Sequence, residues 1–218
     1  MAQDDLTREM LIVFTRFPRP GLTKTRLIPA LGAAGAAALQ KMMAEHTFSL
    51  CGELAGKREL ALFVYYEGGD EQDVRSWVPA AMSCRPQGPG SLGERLAQSF
   101  ADSFASGGER VIIIGSDCPF LTTEILAEGF ILLQNHDVVL GPARDGGYYL
   151  IGLGKPGQQL WSDIDWGTDR VFRQTMAIAG KSGLTLALLP ELADIDRPED
   201  LQHLFDASSG AHLFTSSP

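Results

Sequence analysis

The chain has 218 residues, 44% of them hydrophobic, with mean hydropathy near zero. That suits one substantial α/β domain able to bury a full core, taken here as residues 1–218 with its core at about 10–206. A net charge of −9 argues against general binding to nucleic acid or anionic membrane, which need basic surface.

The opening MAQDDLTREM lacks the basic n-region of a secretory signal. The first strand is read at MLIVFT, residues 10–15. It opens into RFPRPGLTKTRL, kept irregular by two prolines and a glycine. Here Arg16, Arg19, Lys24 and Arg26 crowd around Gly21, a locally basic stretch in an acidic protein. From about Pro29 to Leu54 an alanine-rich segment has helical spacing, and no apolar run approaches the ~20 residues that span a bilayer. A second strand, ELALFVYY, ends at EGGD, before a short helix near Asp73 to Val78 and a weak strand near Ala81 to Arg85. The loop RPQGPGS then feeds an amphipathic helix with Leu92, Leu96, Phe100 and Phe104 on one face.

Next comes RVIIIGSDCPFLT, a buried strand ending in the carboxylate of Asp117. A helix over about Thr122 to Leu133 follows, with Thr122 better placed than Asp117 to cap it. HDVVLGPA and YYLIGL are strands joined by the turn ARDGG, which presents Asp145 and Gly146. WSDIDWGTD reads as a loop before the helix VFRQTMAIAG, and LTLALLP as the last strand. LADIDRPEDLQHLF then carries Asp194 and Asp196 into a proline-started helix, with Asp196 also a candidate cap; residues 207–218 are expected to fray. The three cysteines, Cys51, Cys84 and Cys118, are odd in number and lack CxxC spacing, as expected of reduced thiols in a cytoplasmic protein.

Alternating strands and helices with continuously apolar strands predict a mostly parallel sheet covered on both faces. Ligands of such sheets bind beyond the carboxyl ends of the strands. The basic loop and Asp117 both fall there. Fixed cations and backbone N–H groups suit a polyphosphate, and a strand-end carboxylate suits Mg²⁺ with phosphate and water. The loop is not a Walker A motif, because Thr23 rather than glycine precedes Lys24, and GxGxxG is absent. DIDWGTD follows a polar segment rather than a buried strand, unlike a phosphatase nucleophile motif. The four histidines have no metal or triad spacing, and no GxSxG elbow exists.

The ordered motifs PRPGLTKTRL, GSLGERL, GSDCPFLT, ARDGGYYLIGL, WGTDRVFRQT and DIDRPEDL run from about residue 10 to 205. In that order they resemble the bacterial glycosyltransferase-like, or nucleotide-diphospho-sugar transferase, family. Its GT-A-type superfamily also includes molybdenum-cofactor and phospholactate nucleotidyltransferases. The resemblance implies a Rossmann-like three-layer α/β/α sandwich with a mostly parallel mixed sheet. It also implies Mg²⁺ or Mn²⁺ as cofactor, a nucleotide or nucleotide-sugar as donor, and a small-molecule acceptor. Carried over by position, Lys24 and Arg26 would contact nucleotide phosphates and neutralise the leaving group, with Arg16 and Gly21 in the same loop. Gly93, Glu94 and Arg95 would approach base or ribose. Asp117 would bind metal, Asp196 would supply a second ligand, and Asp145 with Gly146 would face the acceptor, Asp145 as base or positioning group. The chain lacks the AGGxSxRMG loop of sugar and cofactor nucleotidyltransferases. Cys118 and Pro119 leave the Asp-x-Asp of many glycosyltransferases incomplete. Glycosyl transfer, nucleotidyl transfer and a non-catalytic nucleotide-binding module stay open at this point.

Overall fold

The aliphatic run Val111 to Ile114 is buried on both sides, so the strand carrying it must lie inside a sheet with a layer on each face. A computed structural model, describing residues 8–208, gives the architecture. Seven strands form one sheet: β1 (Glu9–Arg16), β2 (Ala61–Glu67), β3 (Ser83–Pro86), β4 (Arg110–Gly115), β5 (Val138–Pro142), β6 (Tyr148–Leu153) and β7 (Leu186–Leu188). Their order is β3-β2-β1-β4-β6-β5-β7, and every neighbouring pair is parallel except those involving β6. The expected mixed, mostly parallel sheet is therefore present. Its last strand is shorter than LTLALLP suggested.

Helices pack on both faces of the sheet, and the described residues form six: α1 (Ile28–Ala55), α2 (Glu71–Trp77), α3 (Leu92–Ala105), α4 (Thr123–Leu132), α5 (Val171–Lys181) and α6 (Leu201–Ser208). Alternation of side chains along β1 shows how. Leu11 and Val13 pack with Phe48 of α1 and with Leu126 and Phe130 of α4. Met10, Ile12 and Phe14 face the other way, into a core with Leu96 and Phe100 of α3 and Ala179 of α5. That is the three-layer sandwich.

Helix α1 has Pro29 in its first turn and is broken at Gly32, whose φ of 71° and ψ of 165° are not helical. By length and composition it could cross a membrane. Its buried residues, however, recur from Ala36 to Leu54 along a face turned to the protein core. In α3 the expected face holds for Leu96 and Phe100 but not for Leu92, which is 47% exposed. Leu92 opens the helix and has no turn before it, so it overhangs the core. The capping expectation at α4 holds: Thr122 Oγ1 accepts from Ile125 N at 3.3 Å. All three cysteines are free. The expected fraying of 207–218 falls almost wholly outside the described residues.

The chain leaves β1 to build β2 and β3 on one side, then returns to place β4 on the other. The carboxyl ends of β1 and β4 therefore flank the point where strand order reverses, the usual crevice of an open α/β sheet. Beneath it Thr15 Oγ1 and Ser116 Oγ lie 2.8 Å apart, and Gln40 Nε2 of α1 donates to them at 3.2 and 3.1 Å. All three residues are buried, so this small network fixes one strand end against the other.

Candidate active site

The loop leaving β1 is folded by its own polar groups. Thr23 Oγ1 donates to Phe17 O at 2.8 Å, and Gly21 takes a φ of 80° that favours glycine. Lys24 takes the same left-handed region, φ 50° and ψ 45°, where a side chain costs ~1 kcal/mol or more. Three contacts hold it there. Its ammonium donates to Ile195 O at 2.6 Å and lies 3.0 Å from Asp117 Oδ1 and 3.6 Å from Asp196 Oδ1. The lysine side chain is 4% exposed, while those of Asp117 and Asp196 are 51% and 34% exposed. Below it Leu27, Met43 and Ile195 form a separate buried cluster.

Lys24, Asp117 and Asp196, expected together from the sequence, thus meet at the β1/β4 crevice. The segment after β7 reaches it because Ile195 N donates to Asp117 O at 2.9 Å. Arg26 joins as well, with Nη1 2.5 Å from Asp196 Oδ2. Asp196 does not cap the following helical turn; Asp200 Oδ2 does, accepting from Asp196 N at 3.0 Å and Arg197 N at 2.7 Å.

A second group forms between β1, β2 and α3. Glu67, at the end of β2, lies 2.9 Å from Arg16 Nε and 3.4 Å from Arg95 Nη1. Burial alone would raise its pKa, but the two guanidiniums outweigh burial and hold the carboxyl below its usual range. Arg95 also donates to Gly90 O at 3.0 Å and Gln87 Oε1 at 3.2 Å, so it is braced before any ligand arrives. Glu94 forms a capping box with Ser91, which ties its carboxylate to the start of α3.

Gly93 and Gly146 have a packing reason to be glycine. A Cβ on Gly93 would meet Trp166 Nε1 at 2.4 Å, and one on Gly146 would meet Asp169 O at 2.2 Å. Both glycines seat the segment 162–170, which is pinned further by Phe172 N donating to Gly146 O at 2.9 Å. Asp145 closes its own turn, accepting from Gly147 N at 2.8 Å, and has no contact with Lys24.

The sequence named Asp194 only as an acid after the last strand, and gave no role to Glu67, Gln87 or Trp166. Arg144 N donates to Leu192 O at 3.1 Å, and that pairing brings Asp194 beside Asp145. Burial, and then the nearby Asp145 carboxylate, push Asp194 from 3.8 to about 6. The fold thus favours its protonated form, so stability from this group is full below pH 3.8 and is lost as pH rises through about 6. Asp194→Asn is therefore expected to raise the melting temperature near pH 8, by on the order of 1 kcal/mol of stability, and to change it little near pH 4. Thermal melts at both pH values check this; an equal difference at both would remove Asp194 as the cause.

A hard divalent cation fits the donor set, since Asp117 and Asp196 offer carboxylate oxygens to one shared position. Burial pushes the Cys118 thiol up to about 12, so it offers no thiolate ligand beside Asp117. Among the described residues no trio of His, Cys, Asp and Glu is grouped to hold a metal alone, which leaves phosphate oxygens or water to complete a shell.

The family described as "Uncharacterized protein conserved in bacteria (DUF2064)" is matched over residues 50–168, more than half of the sequence. The chain belongs to that family. No curated protein sequence matches it. Among solved structures, a provisionally assigned nucleotide-diphospho-sugar transferase of Desulfovibrio desulfuricans G20 superposes with a TM-score of 0.88 at 29% identity, over 95% of this chain and 91% of that one. The inositol-1-phosphate CTP transferase of T. maritima gives a TM-score of 0.56 at 13% identity, over 97% and 99% of the two chains. The Rv0371c protein of Mycobacterium tuberculosis H37Rv, in complex with manganese, gives 0.57 at 14% identity, over 92% and 99%. The fold is that of the nucleotide-diphospho-sugar transferases, as the motifs implied, and neighbours sharing it are nucleotidyl or sugar-nucleotide transferases.

Proposed function

We propose that this DUF2064 protein is a divalent-metal-dependent, cytoplasmic transferase that takes a nucleotide-sugar donor and passes its sugar to a small-molecule acceptor. The observation that carries the reading is the convergence of Lys24, Asp117 and Asp196 at the β1/β4 crevice. The 29% identical neighbour, a provisionally assigned nucleotide-diphospho-sugar transferase, favours a sugar donor over a nucleoside triphosphate.

In this reading Asp117 and Asp196 would hold Mg²⁺ or Mn²⁺, which would supply charge stabilisation to a departing diphosphate. Lys24 and Arg26 add positive charge at the same place, and Arg16 and Gly21 shape the loop around the phosphates. Arg95 and Gly93, at the start of α3, line the base or ribose side. Asp145 and Gly146 face the acceptor, with Asp145 taking its proton or orienting its hydroxyl. The protein otherwise works by positioning groups around developing charge.

Nucleotidyl transfer is the second reading, favoured by the fold shared with the T. maritima CTP transferase. A panel of nucleotide-sugars and nucleoside triphosphates, each with Mg²⁺ or Mn²⁺, tests both. The expected result is a raised melting temperature with a nucleotide-sugar, and release of nucleoside diphosphate without pyrophosphate. Pyrophosphate release would replace this reading with the second one. A panel that neither stabilises the protein nor turns over would leave a binding module without transferase activity.

A further inference from the structure

Three acceptors surround the Lys24 ammonium: Ile195 O at 2.6 Å, Asp117 Oδ1 at 3.0 Å and Asp196 Oδ1 at 3.6 Å. The same two carboxylate oxygens are the ones a divalent cation would bridge. Such a cation sits ~2.0–2.6 Å from its oxygen ligands. A site between Asp117 and Asp196 therefore overlaps the volume already filled by the ammonium, and like charges that close repel strongly where water is scarce. The lysine cannot simply lean aside into solvent, because its stem is buried and its side chain is 4% exposed. It has to leave by a movement of the loop.

The loop is built for such a movement. Lys24 rests in a left-handed backbone conformation held by its three side-chain contacts and by its carbonyl, which accepts from Leu27 N at 2.9 Å. The neighbouring turn has Gly21 at φ 80° with nothing near its missing Cβ, and Leu22 is 66% exposed. Releasing the ammonium relieves the strain at Lys24 without breaking into the core beneath.

We propose that Lys24 is a resident counter-ion that keeps the two carboxylates paired and the cation position closed until an anionic ligand draws the lysine away. The proposal rests on Asp117 and Asp196 being the metal ligands. Its ligand class is the polyphosphate end of a nucleotide, whose oxygens can accept from the ammonium in place of the carboxylates. Binding of cation and polyphosphate is then mutually reinforcing, since each favours the state with Lys24 displaced.

Mn²⁺ alone is the probe, with the free ion followed by electron paramagnetic resonance. Wild type is expected to bind it weakly, and Lys24→Met about tenfold more tightly, within the usual range of coupling between sites. Lys24→Gly, which also relieves the left-handed backbone, is expected to show the same gain and serves if the methionine variant fails to fold. A folded variant that binds Mn²⁺ no better than wild type overturns the proposal. In the wild-type protein, acetylation footprinting should find Lys24 protected without metal and reactive at saturating Mn²⁺. Continued protection at saturation also overturns it. Asp117→Asn separates the two layers of the reading. If it loses Mn²⁺ binding while the Lys24 variants gain nothing, the counter-ion role fails and the metal ligands stand. If it binds Mn²⁺ as wild type does, the metal-ligand assignment falls and the counter-ion role with it.

Discussion

Asp117→Asn is expected to lower turnover by about 10²–10³-fold while leaving the protein folded. The asparagine keeps the shape of the side chain and removes the charge facing the crevice. The backbone carbonyl of residue 117 still accepts from Ile195 N, so the docking of the 190s segment does not depend on the carboxylate. Lys24 keeps Ile195 O and Asp196 as partners. The lost ion pair is half exposed on the Asp117 side and is worth at most ~1 kcal/mol. Steady-state rates with saturating donor and Mg²⁺, set beside a thermal melt, separate the two effects. Turnover within about threefold of wild type would remove Asp117 from the chemistry, whatever happened to stability.

Glu9→Ala is expected to do the reverse, with a large loss of stability and little effect on turnover at 25 °C. Glu9 opens β1 at the end of the sheet away from the crevice, and its side chain is 3% exposed. Its carboxylate accepts from Arg58 through both Nε and Nη2 and from Arg110 Nε at 2.9 Å. Both arginine side chains are partly buried, 25% and 20% exposed. Removing the single carboxylate strands two cations, and breaking a buried pair in this way costs ~3–5 kcal/mol. For a domain of this size that is roughly 10 °C in melting temperature, as 1 kcal/mol corresponds to about 2–4 °C. Calorimetry checks it. A drop of under about 2 °C would mean that water reaches the two arginines and replaces the carboxylate.

The fold was legible because each strand needed burial on both faces and wrote that need as an unbroken aliphatic run. Val111 to Ile114 read as an interior strand, and an acid three residues after it fell beyond its carboxyl end, the ligand edge of such a sheet. The crowded cations after β1 and the DGG turn were readable in the same local way. Asp194 was not. In DID the two acids, two residues apart, would share one face of extended backbone, and their different surroundings are decided by the pairing of Leu192 with Arg144 and of Ile195 with Asp117, both distant in sequence. Glu67 was hidden for a related reason: it is the last residue of β2, but its value lies in gathering Arg16 and Arg95. The glycines of GSLGERL and ARDGG were legible as special positions. That Trp166 and the backbone of Asp169 fill the space above them was not, since no local pattern links residues more than twenty apart.

The contact between Lys24 and Ile195 joins positions separated by 171 residues. During synthesis the first strand, its basic loop and Asp117 all leave the ribosome long before residue 195 exists. Until then the ammonium lacks its shortest-range acceptor, and Asp117 lacks the strap that fixes its backbone. A growing chain can assemble most of the sheet and still have no finished crevice. On the proposed reading, a nucleotide would meet the finished crevice only on chains extended past the DIDRP segment, because a product truncated before it lacks Ile195 O and the Asp196 carboxylate.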